Sequence, residues 1–348
     1  MTALAPSEYE GTRTAGYLDT ATYGLPPRST AAALEEAVRG WREWEDWHRW
    51  EEDGEACRSL FAQIVGARAA DVALVPALSA AAGIVAASLP AGPGDNVVCY
   101  ANEFHSALFP WLALEGRGVD VRLVPLDRLA EAVDERTAIV AVSSVQSADG
   151  QAADLAAVRA TGVRLFVDGT QSVGALPIEL DGVDYLGVAA YKWLCCPRGL
   201  CFFYVRAERL GEIEPWLAGW KNVVDLHERY YGPPRDLTED ARRLDVSLPW
   251  FLAAGGRLSL ELVAGLGVER IAEHDLGLAG RFCAELGLPE PASPIVQVEV
   301  ADSDAAIGRL QGAGIKCAAR AGAVRLSFHL YNDEADVDRA LEALGTAP

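Results

Sequence analysis

The sequence predicts an α/β fold made of a large lobe and a smaller one, and three observations point there. From Asp71 onward short apolar runs alternate with alanine-rich stretches of helical pattern, as expected of right-handed βαβ crossovers feeding a mostly parallel sheet buried on both faces. The chain has 348 residues, of which 51% are apolar, more than one hydrophobic core normally organises. After Trp250 the pattern changes to a long helical stretch followed by a shorter strand and helix series.

Taken in order, strand-like runs lie at 97–100, 121–124, 138–142 and 164–167. A helical pattern then covers 258–274, interrupted by Gly265 and Gly267, and a Pro-Glu-Pro turn leads to a strand at 295–300. Residues 303–311 read as helix, 323–328 as strand and 333–344 as the last helix. The expected division is an N-terminal arm over 1–15, a large domain over 16–250 whose first segment contributes to the small domain, and a small C-terminal α/β domain over 251–348. Between 41 and 50, four tryptophans at spacing three predict an aromatic stripe on a helix. That stripe packs on the large lobe or on a neighbouring subunit, or else walls a pocket with one or two rings.

Fifty acidic residues against thirty basic ones give a formal charge of −20. Such a surface repels phosphate backbones and anionic bilayers, so neither nucleic acid nor membrane is an expected partner. Residues 1–20 carry no leader-like apolar stretch, and no run reaches the roughly 18 residues that span a bilayer, which predicts a cytoplasmic protein. Seven cysteines at 57, 99, 195, 196, 201, 283 and 317 lack the paired spacing of a zinc site, so reduced thiols and no metal are expected.

The chemistry centres on Asp168 and Lys192. Asp168 ends the apolar run 163–167, and Lys192 follows beyond the next strand. A carboxylate can keep the ring nitrogen of a pyridine-aldehyde protonated while a lysine amine takes the aldehyde as an imine, so pyridoxal 5'-phosphate (PLP) is the expected cofactor. Lys192, displaced by the substrate amine, would then act as general base.

The stretch Asp168-Gly169-Thr170-Gln171-Ser172-Val173-Gly174, followed by Tyr191-Lys192 and by Pro197-Arg198-Gly199, resembles the class V aminotransferases, which include the cysteine desulfurases, with tyrosine in place of histidine before the lysine. The resemblance implies the fold-type I PLP fold, with a mostly parallel seven-stranded sheet in the large domain. It also implies a homodimer with its active site at the subunit interface and a small amino acid substrate. Gln171 and Gln146 fall at positions beside the ring oxygen, Tyr191 beside the cofactor, and Ser79 with the amides of Ser79 and Ala80 where the family builds its phosphate cup; an ordinary helix cap is the other reading of Ser79. Phe104 stands at the position of the family's ring-stacking histidine, with His105 one residue on as the alternative. Ser247 corresponds to a residue that reaches the phosphate of the neighbouring subunit. Arg325 matches the arginine that binds the substrate carboxylate as a planar fork, with a structural ion pair as its other reading, and Ala21 belongs to the same substrate side.

The expected reaction is a PLP-dependent lyase step, β-elimination across a C–S bond of an S-substituted cysteine conjugate. That expectation follows class V members of ergothioneine- and lincosamide-type sulfur pathways and isopenicillin N epimerase-like proteins, and it places the chain in specialised metabolism. Epimerisation, transamination and decarboxylating oxidative deamination are the alternatives. A persulfide-forming cysteine desulfurase is excluded at this stage, because Cys317 joins Arg325 with almost no loop and falls in a buried strand pattern, where a thiol is inert.

Overall fold

The computed structural model describes residues 1–10, 14–224, 230–233, 236–247 and 250–345. Its main sheet has seven strands: β1 (Val72–Val75), β2 (Asn96–Tyr100), β3 (Asp120–Val124), β4 (Thr137–Ser143), β5 (Leu165–Asp168), β6 (Tyr185–Ala189) and β7 (Cys201–Val205). They lie in the order β1-β7-β6-β5-β4-β2-β3. The pairs β2/β3, β2/β4, β4/β5 and β5/β6 are parallel, while β7 runs antiparallel to both neighbours. The runs Ile139-Val140-Ala141-Val142 and Leu165-Phe166-Val167 are buried throughout, as a parallel sheet covered on both faces requires. Alternate side chains accordingly feed two separate cores, Val140, Val142, Leu165 and Val167 on one face and Ile139, Ala141 and Phe166 on the other.

The smaller sheet is antiparallel, β8 (Ile295–Val298), β9 (Ala318–Arg320) and β10 (Ala323–Ser327) in the order β8-β10-β9. The chain's N-terminal segment joins it: Tyr17 bridges Lys316 and Asp19 bridges Ser327, which carries Asp19 to the side of Arg325. The strand and helices read from the sequence beyond residue 294 occur within a residue or two of their expected bounds, and β9 is an addition too short to leave a periodic signal.

Two expectations need correction. The stretch 258–274 is not one element: Trp250–Leu266 and Val268–Glu285 are separate helices meeting at 81° across Gly267. The tryptophan stripe is not on one helix either. Arg28–Arg42 ends, Trp44 adopts the left-handed conformation with φ of 67° and is 93% exposed, and a new helix, His48–Val65, begins. Trp47 stacks on Trp250 at 5.4 Å, Trp50 lies beside Trp250 and Phe251, and Trp41 beside Phe251. The rings therefore cover the helix Trp250–Leu266, and none of them lines the cavity described below.

Candidate active site

In an open parallel sheet the carboxyl ends of the strands surround the natural crevice. Here β4, β5 and β6 end at Ser143, Asp168 and Ala189, and all three line one cavity of about 160 Å³ together with Lys192, Phe104 and Thr170. Asp168 is held at the strand end, its Oδ1 accepting from the Thr170 amide at 2.8 Å and its Oδ2 from the Ser143 hydroxyl at 3.4 Å. Burial raises its carboxyl to a pKa of about 6, with the Thr170 hydrogen bonds working the other way. Thr170 is fixed in turn, since its hydroxyl accepts from the Ala189 amide at 3.0 Å.

Lys192 sits on the tight turn between β6 and β7, buried, with its Nζ 5.5 Å from the centre of the Phe104 ring and 5.9 Å from that of Tyr191. Burial brings its amine down to a pKa of about 8, with Asp168 opposing the shift. The turn is packed from behind without room for a side chain. A Cβ on Gly24 would stand 2.0 Å from the Lys192 carbonyl oxygen, and one on Gly174, where φ is 99°, would stand 2.9 Å from the Trp193 carbonyl. His329 completes the support: its Nε2 donates to the Trp193 carbonyl at 2.9 Å and its Nδ1 to Asp275 at 2.8 Å. Burial disfavours the charged imidazole, yet Asp275 and Cys195 beside it raise His329 to a pKa of about 10.

Phe104 presents its ring to this cavity, whereas His105 opens the helix His105–Leu112 and stacks on Phe109 at 4.4 Å, away from Lys192. Tyr191 lines the cavity between Lys192 and Arg198, whose guanidinium lies 5.1 Å from the phenol ring. Gln171 also lines it, with Nε2 donating to the Ala21 carbonyl at 3.0 Å and Oε1 accepting from the Trp193 indole.

Other expected site residues lie outside the cavity lining. Gln146 is turned toward Glu103 and the Ser143 carbonyl and lines a neighbouring groove. Ala21 is buried behind Gln171, its amide donating to the Ser327 hydroxyl. Of the cup residues, the Ser79 side chain is exposed and the Ala80 amide already donates to the Ala77 carbonyl at 3.0 Å, while Ala77 and Leu78 at the start of the helix Leu78–Ser88 line the cavity. Ser247 is exposed beside the end of β1, where the preceding Asp245 is tied to Arg58 at 2.6 Å and to the Leu74 amide. Arg325 is 2% exposed and occupied by Asp19, the Thr22 hydroxyl and the Ser147 carbonyl; only its Nε is without a partner.

Sequence reasoning passed over Glu103, Thr170 and Arg198. Glu103 is buried and accepts from the Ser143 amide and hydroxyl at 2.7 and 2.6 Å and from the Phe104 amide at 2.8 Å, which locks the Phe104 backbone to the end of β4. An acidic residue three positions beyond an apolar strand was the available signal. Among the described residues no group of three or more His, Cys, Asp or Glu side chains is arranged to hold a metal, and no single helix is long and apolar enough to cross a membrane.

The chain matches the model of the aminotransferase class-V family over residues 45–290. It belongs to the class V aminotransferase family. A probable cysteine desulfurase of Methanothermobacter thermautotrophicus is 26% identical to this class V chain, over 94% of it and 93% of the relative. Among solved structures, the Escherichia coli cysteine desulfurase CsdA superposes with a TM-score of 0.84 at 22% identity, covering 97% of this chain and 96% of CsdA. The protein C-DES, solved with glycine covalently linked to its PLP cofactor, gives a TM-score of 0.87 at 19% identity over 98% and 99% of the two chains. C-DES is also known as a cystine C–S lyase in complex with its product cysteine persulfide. The fold is that of the fold-type I PLP-dependent enzymes.

PLP is the class V family's cofactor, and the residues here fit it. A carboxylate buried without a cation in hydrogen-bonding range, a lysine with a lowered pKa in the same cavity and a flat ring across from them are complementary to a protonated pyridine that carries an aldehyde. The exclusion of a cysteine desulfurase is corrected. Cys317 is indeed buried, its thiol pushed up to about 11, but relatives and structural neighbours of the chain are themselves cysteine desulfurases. One inert thiol therefore does not remove the class, and the elimination on cysteine conjugates built on that exclusion falls with it.

Proposed function

We propose that this class V protein is a PLP-dependent enzyme that removes sulfur from L-cysteine, working as a homodimer. The observation that carries the reading is the shared cavity of Asp168 and Lys192, supported by relatives named for cysteine desulfuration and for C–S cleavage. Bound PLP supplies an aldehyde that condenses with an amine and a ring that accepts the electron pair of a broken Cα bond. Lys192, with its pKa near 8, is neutral often enough at physiological pH for Nζ to take the Cα proton and return it. Asp168 holds negative charge at the ring nitrogen, and Phe104 covers the ring face. Arg325 is assigned to the substrate carboxylate, which would replace the Ser147 carbonyl and the Thr22 hydroxyl as partners of its guanidinium. The exposed position of Ser247 suits a contact to the cofactor of a second subunit.

All seven cysteines are buried, so the sulfur acceptor is assigned to a thiol from outside the chain: cysteine and RSH give alanine and RSSH. The test incubates PLP-loaded protein with L-cysteine, with and without dithiothreitol, and measures alanine, pyruvate and sulfide. Alanine without pyruvate is expected in both arms, because free cysteine can itself be the accepting thiol, with sulfide matching alanine only when dithiothreitol is present to reduce the persulfide. Pyruvate and ammonia formed at the same rate without dithiothreitol would overturn the assignment.

A further inference from the structure

The cavity contains three charged side chains, Asp168, Lys192 and Arg198. The first two meet the ring nitrogen and the aldehyde of PLP in the reading above. The third remains to be explained. Among the described residues no carboxylate lies within ion-pair distance of Arg198, and its recorded contact is the face of Tyr191 at 5.1 Å. Arg198 is an exposed side chain that lines a concave site, and with no carboxylate on it among the described residues its donors are available to an anion.

Its position selects which anion. Arg198 lies just before β7, and Cys201 at the start of that strand is paired with Val75 at the end of β1. This register sets Arg198, Gly199 and Leu200 directly beside Pro76, Ala77 and Leu78, and all six line the cavity. Arg198 thus shares one cavity wall with the open end of the helix Leu78–Ser88, where amide donors and the helix dipole already favour negative charge. Ser79, the hydroxyl expected there from sequence, is exposed and lies outside the lining.

We infer that Arg198 is the principal cationic anchor of the PLP phosphate in this protein, standing at the helix end in place of a hydroxyl cup. The inference rests on the PLP reading of the cavity. Tyr191 orients the guanidinium through its ring face, so that the lysine turn and the phosphate anchor form one continuous wall.

The test compares PLP with pyridoxal, which carries the same ring and aldehyde but no phosphate, so the ratio of their affinities reads the phosphate contact alone. Dissociation constants are measured by absorbance and tryptophan-fluorescence titration of wild-type, Arg198→Ala and Arg198→Lys proteins. Loss of a charge-assisted contact of this kind is expected to weaken PLP about 10- to 100-fold in Arg198→Ala, to leave pyridoxal within about twofold, and to be partly restored in Arg198→Lys. Equal weakening of both ligands, or an unchanged PLP affinity, would overturn the inference. An unchanged PLP affinity with a raised KM for cysteine would do so by assigning Arg198 to the substrate carboxylate. Failure of the wild-type protein to bind PLP at all would instead overturn the underlying reading, so the two failures are distinguishable.

Discussion

Asp168 and Lys192 each carry a cost of burial. The Asp168 carboxyl has its pKa raised from 3.8 to about 6 by burial, so the folded chain holds that proton more tightly than the unfolded chain. Its cost to stability therefore grows as pH rises from about 4 to 6 and is fully present above that range. Asp168→Asn, which keeps an oxygen for the Thr170 amide, is predicted to stabilise the cofactor-free protein at pH 8 by on the order of 2 kcal/mol and to give no gain at pH 4. Thermal unfolding at the two pH values checks this, and an equal gain at both would contradict it. Lys192 titrates near 8 because it is buried, so the rate at which the protein captures PLP is predicted to rise with pH to a midpoint near 8, as followed by the absorbance of the captured cofactor. A midpoint above 10 would mean an exposed amine. These two residues were legible in the sequence because each needs only its own identity and a place at a strand end. For Arg325 the sequence left two readings, a substrate fork and a structural ion pair, and the partners that hold it here, Asp19, Thr22 and Ser147, come from distant parts of the chain that no local pattern announces.

At the scale of elements, the lysine turn is held by contacts across the fold. Gly24, Gly174 and His329 come from three separate segments and converge behind residues 192 and 193. Gly24→Ala is predicted to displace the turn and to lower PLP affinity at least tenfold, since its Cβ would overlap the Lys192 carbonyl oxygen. A Gly24→Ala protein that is folded by circular dichroism and binds PLP normally would refute that role. His329, raised from 6.5 to about 10 beside Asp275, contributes stability that is fully present below pH 6.5 and lost as pH rises through 10. Urea unfolding is predicted to show a loss between pH 8 and 10 that is smaller in His329→Gln. The strands at 97–100, 138–142 and 164–167 were readable because burial on both faces demands apolar runs, whereas 121–124 is a partly exposed edge strand. The tryptophan series was misread as one helix because period alone does not register the left-handed Trp44 and the break before His48. The choice between Phe104 and His105 rested on the family position alone, because the register is fixed by Glu103, whose carboxylate holds the Phe104 amide and the end of β4 and was not read from the sequence.

For the whole molecule, the cavity is lined entirely by residues 76–200 of the large sheet and its connections, and the N-terminal segment supports it from behind through the Ala21 carbonyl that holds Gln171. Sedimentation of the PLP-loaded protein is predicted at twice the 37.1 kDa chain mass. PLP at a hundred times its dissociation constant should stabilise the folded state by about 2.7 kcal/mol, read as a rise in Tm. The small domain's strand and helix pattern was plain in the sequence; that the first segment contributes to it was expected from the resemblance, while the particular pairing of residues 17–19 depends on contacts some three hundred residues apart. The chain has only three lysines, Lys192, Lys221 and Lys316, which makes one measurement decisive: borohydride reduction of the PLP-loaded protein followed by peptide mass mapping. The account predicts a single reduced pyridoxyl group on Lys192, absent in Lys192→Ala; a label on Lys221 or Lys316, or no label at all, would contradict it.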